Sequence, residues 1–297
     1  MEKLKTKFRS GLRPAKWAMV IIYAVVIFAA LICLVPLINV LAISLNSKET
    51  ADRVFLWPTD LSLQSYEIML KRPQLYNSLW ISVKRVVLSI LISTPVTVLM
   101  AYPLSRKSSE YPMRKVYVAI VVFCMIFNGG LVPGIILVKV WLNMANTIWA
   151  LVLPSAVPIY NVILVMNYFR GLPKEVEEAA QIDGATAVQV LFKVVVPMST
   201  PVIATVVMFV FVNSWNEWFN GLIFMDDVNL YPFQTYLQST IKAPDIKSMV
   251  DLQNYALVSD KTIKCAQIII GMIPMIIAFP FVNKYFAAGV TLGAVKG

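Results

Sequence analysis

The chain has 297 residues, 59% of them hydrophobic and only 14% charged, which lies outside the balance of soluble domains and predicts an all-α integral membrane protein. With no His anywhere, imidazole metal sites and His-based catalysis are excluded. The net charge of +10 comes without the sustained basic and aromatic segment of a nucleic-acid binder, so it reads as the Lys and Arg excess of loops on the cytoplasmic side of a membrane.

Cys33, Cys124 and Cys265 stand apart within apolar runs and read as packing residues. No G-x-x-x-x-G-K-[ST] sequence occurs, so the chain has no phosphate-binding loop of that type.

In chain order, residues 1–16 form a basic tail, and the apolar run from Trp17 to Leu45 is too long for the core of a signal peptide. It is expected to be a first span with its N-terminus inside, bent at Pro36. Residues 46–79 are too polar to cross and are expected outside, with a short helix over Ser62 to Leu70. Further spans are expected over 79–104, 116–140, 147–169, 201–223 and 262–286, each long enough for the ~20 residues that cross the hydrocarbon. Six spans put both ends and the segment 171–200 inside, with a tail at 287–297. Of the 26 Lys and Arg, 15 then fall inside and nine outside, a bias that agrees with this topology.

The polar stretch from Lys174 to Pro197 stands between the fourth and fifth spans. Pro173 is a good first helical residue, Lys174 to Ile182 is helix-permissive, and Asp183-Gly184 reverses the chain before a second short helix from Ala185 to Val194. Ala179 and Ala180 offer little bulk, and Glu178 is free to meet a cation. On residue chemistry alone this is either a docking surface for another protein or a solvated amphipathic loop.

Glu178-Ala179-Ala180, three residues, Gly184, nine residues, Val194, one residue and Val196-Pro197 resembles the EAA loop of ABC importer permeases, with Val where Ile and Leu are usual. Gly171-Leu172-Pro173, Ile182-Asp183-Gly184-Ala185, Trp215-Asn216-Glu217-Trp218-Phe219 and Leu230-Tyr231-Pro232-Phe233-Gln234 are similar to the carbohydrate-uptake branch, and the C-terminus from Gly293 to Gly297 to its maltose-type, six-span subunit. The resemblance implies a permease, not an enzyme, in a prokaryotic cytoplasmic membrane. It also implies a second permease subunit, two ATPase subunits that hold ATP and Mg, an extracytoplasmic solute-binding protein and a sugar or oligosaccharide cargo. No cofactor is expected on this chain itself. The coupling residues it implies are Glu175, Glu178, Ala179, Ala180, Asp183 and Gly184, with Glu178 pairing a basic residue of the ATPase. Gly293 and Lys296 would reach toward the ATPase pair. The rival class is a secondary transporter or channel, for which Glu217 is the fair candidate acid.

Asn213, Asn216, Glu217 and Asn220 recur at i, i+3, i+4 and i+7, which places them on one stripe of an expected fifth helix. Such a stripe either lines a translocation cavity suited to sugar hydroxyls or makes interhelical hydrogen bonds. Lys84 and Arg85 lie one or two turns inside the outer boundary. They either snorkel to the interface or face the cavity and draw an anionic cargo such as a uronic-acid oligosaccharide.

Overall fold

The computed structural model describes residues 16–47, 51, 56–109, 111–127, 129–242 and 259–294, all helical or irregular apart from one isolated bridge between Asn46 and Leu61. The basic tail before Lys16 and the expected contact residue Lys296 lie outside the described residues. The chain divides into two compact units, one of residues 1–71 with 246–270, the other of 72–245 with 271–297.

In the first unit, helix α1 (Lys16–Ser44) runs through Pro36, and its segment Trp17–Ser44 has a mean hydropathy of 3.1. It is apolar on all sides and almost wholly exposed in the isolated chain, the pattern of a helix whose surroundings are lipid or other spans. Its end is held where the Ser44 hydroxyl meets the Tyr66 hydroxyl of α2 (Gln64–Leu70) at 2.7 Å. Ser65 of α2 in turn donates to the Thr262 hydroxyl at 2.9 Å.

The second unit is built on α3 (Pro73–Ser105), whose segment has a mean hydropathy of 1.9. It starts six residues before the expected span because Pro73 stands in its first turn, where a missing N–H costs nothing. Ser78, Ser82, Arg85, Ser89, Ser93, Thr97 and Ala101 recur every three or four residues along its buried edge. Apolar burial supplies little attraction between helices in lipid, and small side chains instead let backbones approach and gain dispersion contacts. That edge packs against α7 (Ile159–Arg170) and α10 (Thr200–Asn216). Val98, Ala101, Val162, Val165, Val202 and Val206 form the centre of the resulting core.

Three expected spans are each two helices. The segment expected over 116–140 is α4 (Arg114–Ile126) and α5 (Leu131–Ile135), the latter running on into a π turn over Ile136–Trp141. Gly130, at φ +85°, precedes α5 in the left-handed region that a Cβ disfavours. The next is α6 (Ile148–Val152) and α7, bent by 45° with Pro158 at the start of α7. The helix expected over 201–223 stops at Asn216, and α11 (Phe219–Phe224) begins after a two-residue break. Among the described residues α1 and α3 are long and apolar enough to cross a membrane alone, and three bent pairs pass that test only when each pair is taken together: Arg114–Ile126 with Leu131–Trp141, Ile148–Ser155 with Ile159–Arg170, and Ala187–Met198 with Thr200–Asn216.

After α12 (Phe233–Lys242), helix α13 runs over Asp260–Ala294, past the expected end at 286, and includes Gly293. Within the second unit the Trp215 indole N–H donates to the Gly271 carbonyl at 3.3 Å. Phe233 packs so near that a Cβ on Gly271 would lie 2.7 Å from its ring.

Candidate functional site

The polar stretch folds as α8 (Lys174–Ile182), a reversal, and α9 (Ala187–Val190), which continues through a π turn over Leu191–Val195 to Val196–Met198. Gly184 takes φ +85° and donates its N–H to the Gln181 carbonyl, while Ala185 donates to the Ala180 carbonyl, both at 3.0 Å. These two bonds satisfy the orphan carbonyls at the end of α8, and glycine fits because its conformation excludes most side chains. The next helix is opened by a reciprocal cap: Gln189 N–H donates to the Thr186 hydroxyl, and Thr186 N–H donates to the Gln189 side chain. Thr186-x-x-Gln189 is legible in the sequence as a capping box.

Glu175, Glu178, Ala179 and Asp183 are exposed, together with Val176 at 44% and Ile182 at 86%. Ala180 turns inward and packs against the core. The carboxylate that sequence reasoning missed is Glu177, which is buried and forms an ion pair with Arg106. Its signal was available: Glu177 stands three residues before Ala180, so the two share a helical face.

Arg106 caps the C-terminus of α3 and stacks over the Tyr102 ring at 4.2 Å. The Leu104 carbonyl, in the last turn of the same helix, accepts from Arg114 Nε at 2.9 Å and from Arg170 Nη2 at 3.2 Å. Cations gather there because the last carbonyls of a helix carry partial negative charge and lack intrahelical donors. Arginines from the ends of α3 and α7 and the start of α4 thus converge on one helix terminus, and Glu177 brings a carboxylate from α8 into the same set.

At the α10 break the expected single stripe divides. Asn213 and Asn216 are exposed on α10, whereas Glu217 is extended at φ −74° and ψ 117°, and Asn220 belongs to α11. The reason is local hydrogen bonding. Glu217 Oε1 accepts the Asn220 N–H at 2.7 Å, and Oε2 meets Arg85 Nη2 at 2.5 Å. Arg85 Nη1 donates to the Glu217 main-chain carbonyl at 2.9 Å. A helix can stop at membrane depth when its freed backbone groups find donors and acceptors inside the protein, and here the side chains of Glu217 and Arg85 supply them.

Arg85 is 2% exposed and engaged with Glu217. Its neighbour Lys84 points the other way, is exposed, and lies 5.4 Å from the Trp80 ring centroid. Lys84 also lines a small cavity of about 150 Å³ with Asn146 and Thr147. Asn220 lines a larger one of about 620 Å³, with Gly130, Gly134, Leu153 and Phe224. Elsewhere in the second unit Lys139 and Asn146 donate to the Asp226 carboxylate at 3.0 and 3.1 Å. These hydrogen bonds hold the Asp226 carboxyl below the usual carboxylate range.

A family model described as the inner membrane component of binding-protein-dependent transport systems matches residues 74–292. The chain is 35% identical over 281 residues to the polygalacturonan/rhamnogalacturonan transport system permease protein YtcP of Bacillus subtilis (strain 168), across 93% of this chain and 97% of that protein. It is 34% identical over 269 residues to the protein LplC of the same organism, across 90% of each. A crystal structure of a bacterial ABC transporter involved in the import of the acidic polysaccharide alginate matches with a TM-score of 0.84 at 28% identity, over 92% of this chain and 99% of the matched one.

Proposed function

The chain belongs to the inner membrane components of binding-protein-dependent transport systems, and from that membership we propose that it is one permease subunit of an ATP-driven importer of acidic oligosaccharides. It pairs with a second permease, receives cargo from a solute-binding protein outside, and couples to two ATPase subunits inside. The six spans of this reading are α1, α3, α4 with α5, α6 with α7, α10 with α11, and α13. Both termini and the α8–α9 loop then lie on the cytoplasmic side.

The observation that carries the reading is the division of α8 into two faces. Glu177 and Ala180 turn toward the core, while Glu175, Glu178, Ala179 and Ile182 present acid, small and apolar groups outward. Val176, Ile182 and Val188 leave three apolar side chains of this loop exposed, at 44%, 86% and 65%, which a docked partner would bury. A secondary transporter would need a titrating acid in the membrane, and the candidate for it, Glu217, is engaged through both carboxylate oxygens.

The test is co-purification of the tagged chain from its native membrane with an ATPase bearing a phosphate-binding loop. Glu178→Ala removes the outward carboxylate without touching the buried face of α8, and the ATPase is expected to dissociate. Retention of a full complement of ATPase by Glu178→Ala would sink the coupling role of this loop.

Acidic cargo is supported by Lys84, an exposed cation beside an aromatic ring, and by relatives whose names specify polygalacturonan, rhamnogalacturonan and alginate. Lys84→Ala is expected to lower uptake of a uronic-acid oligosaccharide relative to a neutral one by about two- to fivefold, the scale of one solvent-screened ion pair. An unchanged preference would remove Lys84 from the cargo path.

A further inference from the structure

Glu177 is the buried acid on a helix whose other acids face outward, and its partner Arg106 lies at the end of the longest helix in the second unit. The close backbone neighbours of α8 are the parts of α9, so α8 is not packed along α3. A cavity of about 210 Å³ opens beside the pair, lined by Ser105, Arg170, Lys174 and Gln181 among others. The polar tie between α8 and α3 is therefore a side-chain bridge beside open space.

Arg106 is itself fixed. It stacks on Tyr102 one turn back along its own helix, and the same terminus is pinned to the start of α4 and the end of α7 through the Leu104 carbonyl. Further along α3, about 30 Å from Arg106 at 1.5 Å per residue, Arg85 holds the Glu217 break between α10 and α11. One continuous helix thus carries an arginine to the docking loop at one end and an arginine to the interrupted fifth span toward the other.

We propose that the Arg106–Glu177 ion pair is the joint through which movement of α8 is transmitted into α3, which makes Glu177 a positioning residue of transport. This rests on the docking role of α8 proposed above. Glu178 and its neighbours hold the external partner, and Glu177 holds the rest of the chain. The division predicts a separable defect: with Glu177 neutralised, the ATPase still docks and still hydrolyses ATP, but α8 moves without carrying α3.

The experiment uses the full transporter in lipid vesicles, with its binding protein and an acidic oligosaccharide, and measures both ATP hydrolysed and oligosaccharide accumulated. Glu177→Gln, which preserves shape, and Arg106→Gln are expected to retain the ATPase subunits and to lower transport per ATP by about tenfold, within the range of ordinary coupling energies. The exchanged pair Glu177→Arg with Arg106→Glu is expected to recover a substantial part of that loss, which a merely structural role for either single residue would not produce. Unchanged transport per ATP in Glu177→Gln overturns the proposal. Loss of the ATPase subunits from Glu177→Gln also overturns it, because the pair would then serve docking. If neither single-variant chain folds stably in the membrane, the exchanged pair decides: a folded complex that transports supports the joint, and a folded complex that does not transport refutes it. Glu178→Ala measured alongside separates the two levels, since a Glu178→Ala complex that keeps its ATPase refutes the docking reading whatever Glu177 does.

Discussion

Glu217→Ala is expected to destabilise the chain by about 3–5 kcal/mol, the cost of leaving one partner of a buried ion pair without the other. The reciprocal change, Arg85→Leu, is expected to cost less, at the lower end of that range or below it. The asymmetry comes from solvation. The Arg85 side chain is 2% exposed and would keep its full charge with no counter-ion, whereas Glu217 is 28% exposed and retains partial access to solvent. Glu217→Ala also removes the acceptor for the Asn220 N–H, so the first turn of α11 loses its cap. The double change Arg85→Leu with Glu217→Gln is expected to be milder than Glu217→Ala alone, since no buried charge is stranded. Denaturant or thermal unfolding in a fixed detergent measures all three; equal losses for the two single changes would show that burial does not govern this pair.

Gly221→Ala carries the second large effect. Its added Cβ would lie 2.0 Å from the Thr235 hydroxyl oxygen and 2.8 Å from both Thr235 Cβ and Cγ2. Thr235 is fully buried, and its hydroxyl donates to the Trp218 carbonyl at 2.8 Å, so it has no free rotamer into which to retreat. Accommodation therefore requires α11 and α12 to separate, and overpacking of this kind costs about 1–3 kcal/mol. Thr235→Ala in the same chain removes the hydroxyl and the Cγ2 but leaves the Cβ contact, so it is expected to restore part of the loss. A Gly221→Ala chain as stable as the parent in the same unfolding measurement would show that the α11–α12 contact is softer than its geometry indicates.

Much of the α8–α9 loop was legible because its signals are local. Pro173 starts the helix, Gly184 supplies the positive φ, and the spacing from Glu178 to Pro197 resembles the EAA loop of ABC importer permeases. The burial of Glu177 was less legible, since three glutamates within four residues look alike until one of them meets Arg106, 71 residues away in the chain. The serine edge of α3 was present as a period of three and four, but a search for apolar stripes passes over it. In lipid the face that packs can be the small and polar one.

The stripe at Asn213, Asn216, Glu217 and Asn220 marks the limit of periodicity. Its spacing assumed an unbroken helix through residues 213 to 220, and nothing in those residues forbids one, since neither Gly nor Pro stands between Asn213 and Phe219. The break occurs because Arg85, from a helix 132 residues earlier, supplies donors for the Glu217 carbonyl and carboxylate.

By itself the sequence determined that this protein is helical and belongs in a membrane, where its long apolar runs lie, and where a glycine-closed polar loop interrupts them. Those properties follow from composition and from neighbours within a few residues, so no long-range contact is needed to specify them. Tertiary structure decided which acids face inward, where helices stop and which of two adjacent basic residues is buried. Each of those outcomes depends on a partner group that arrives from a distant element, and in a medium that offers no water the partner, not the local propensity, sets the conformation.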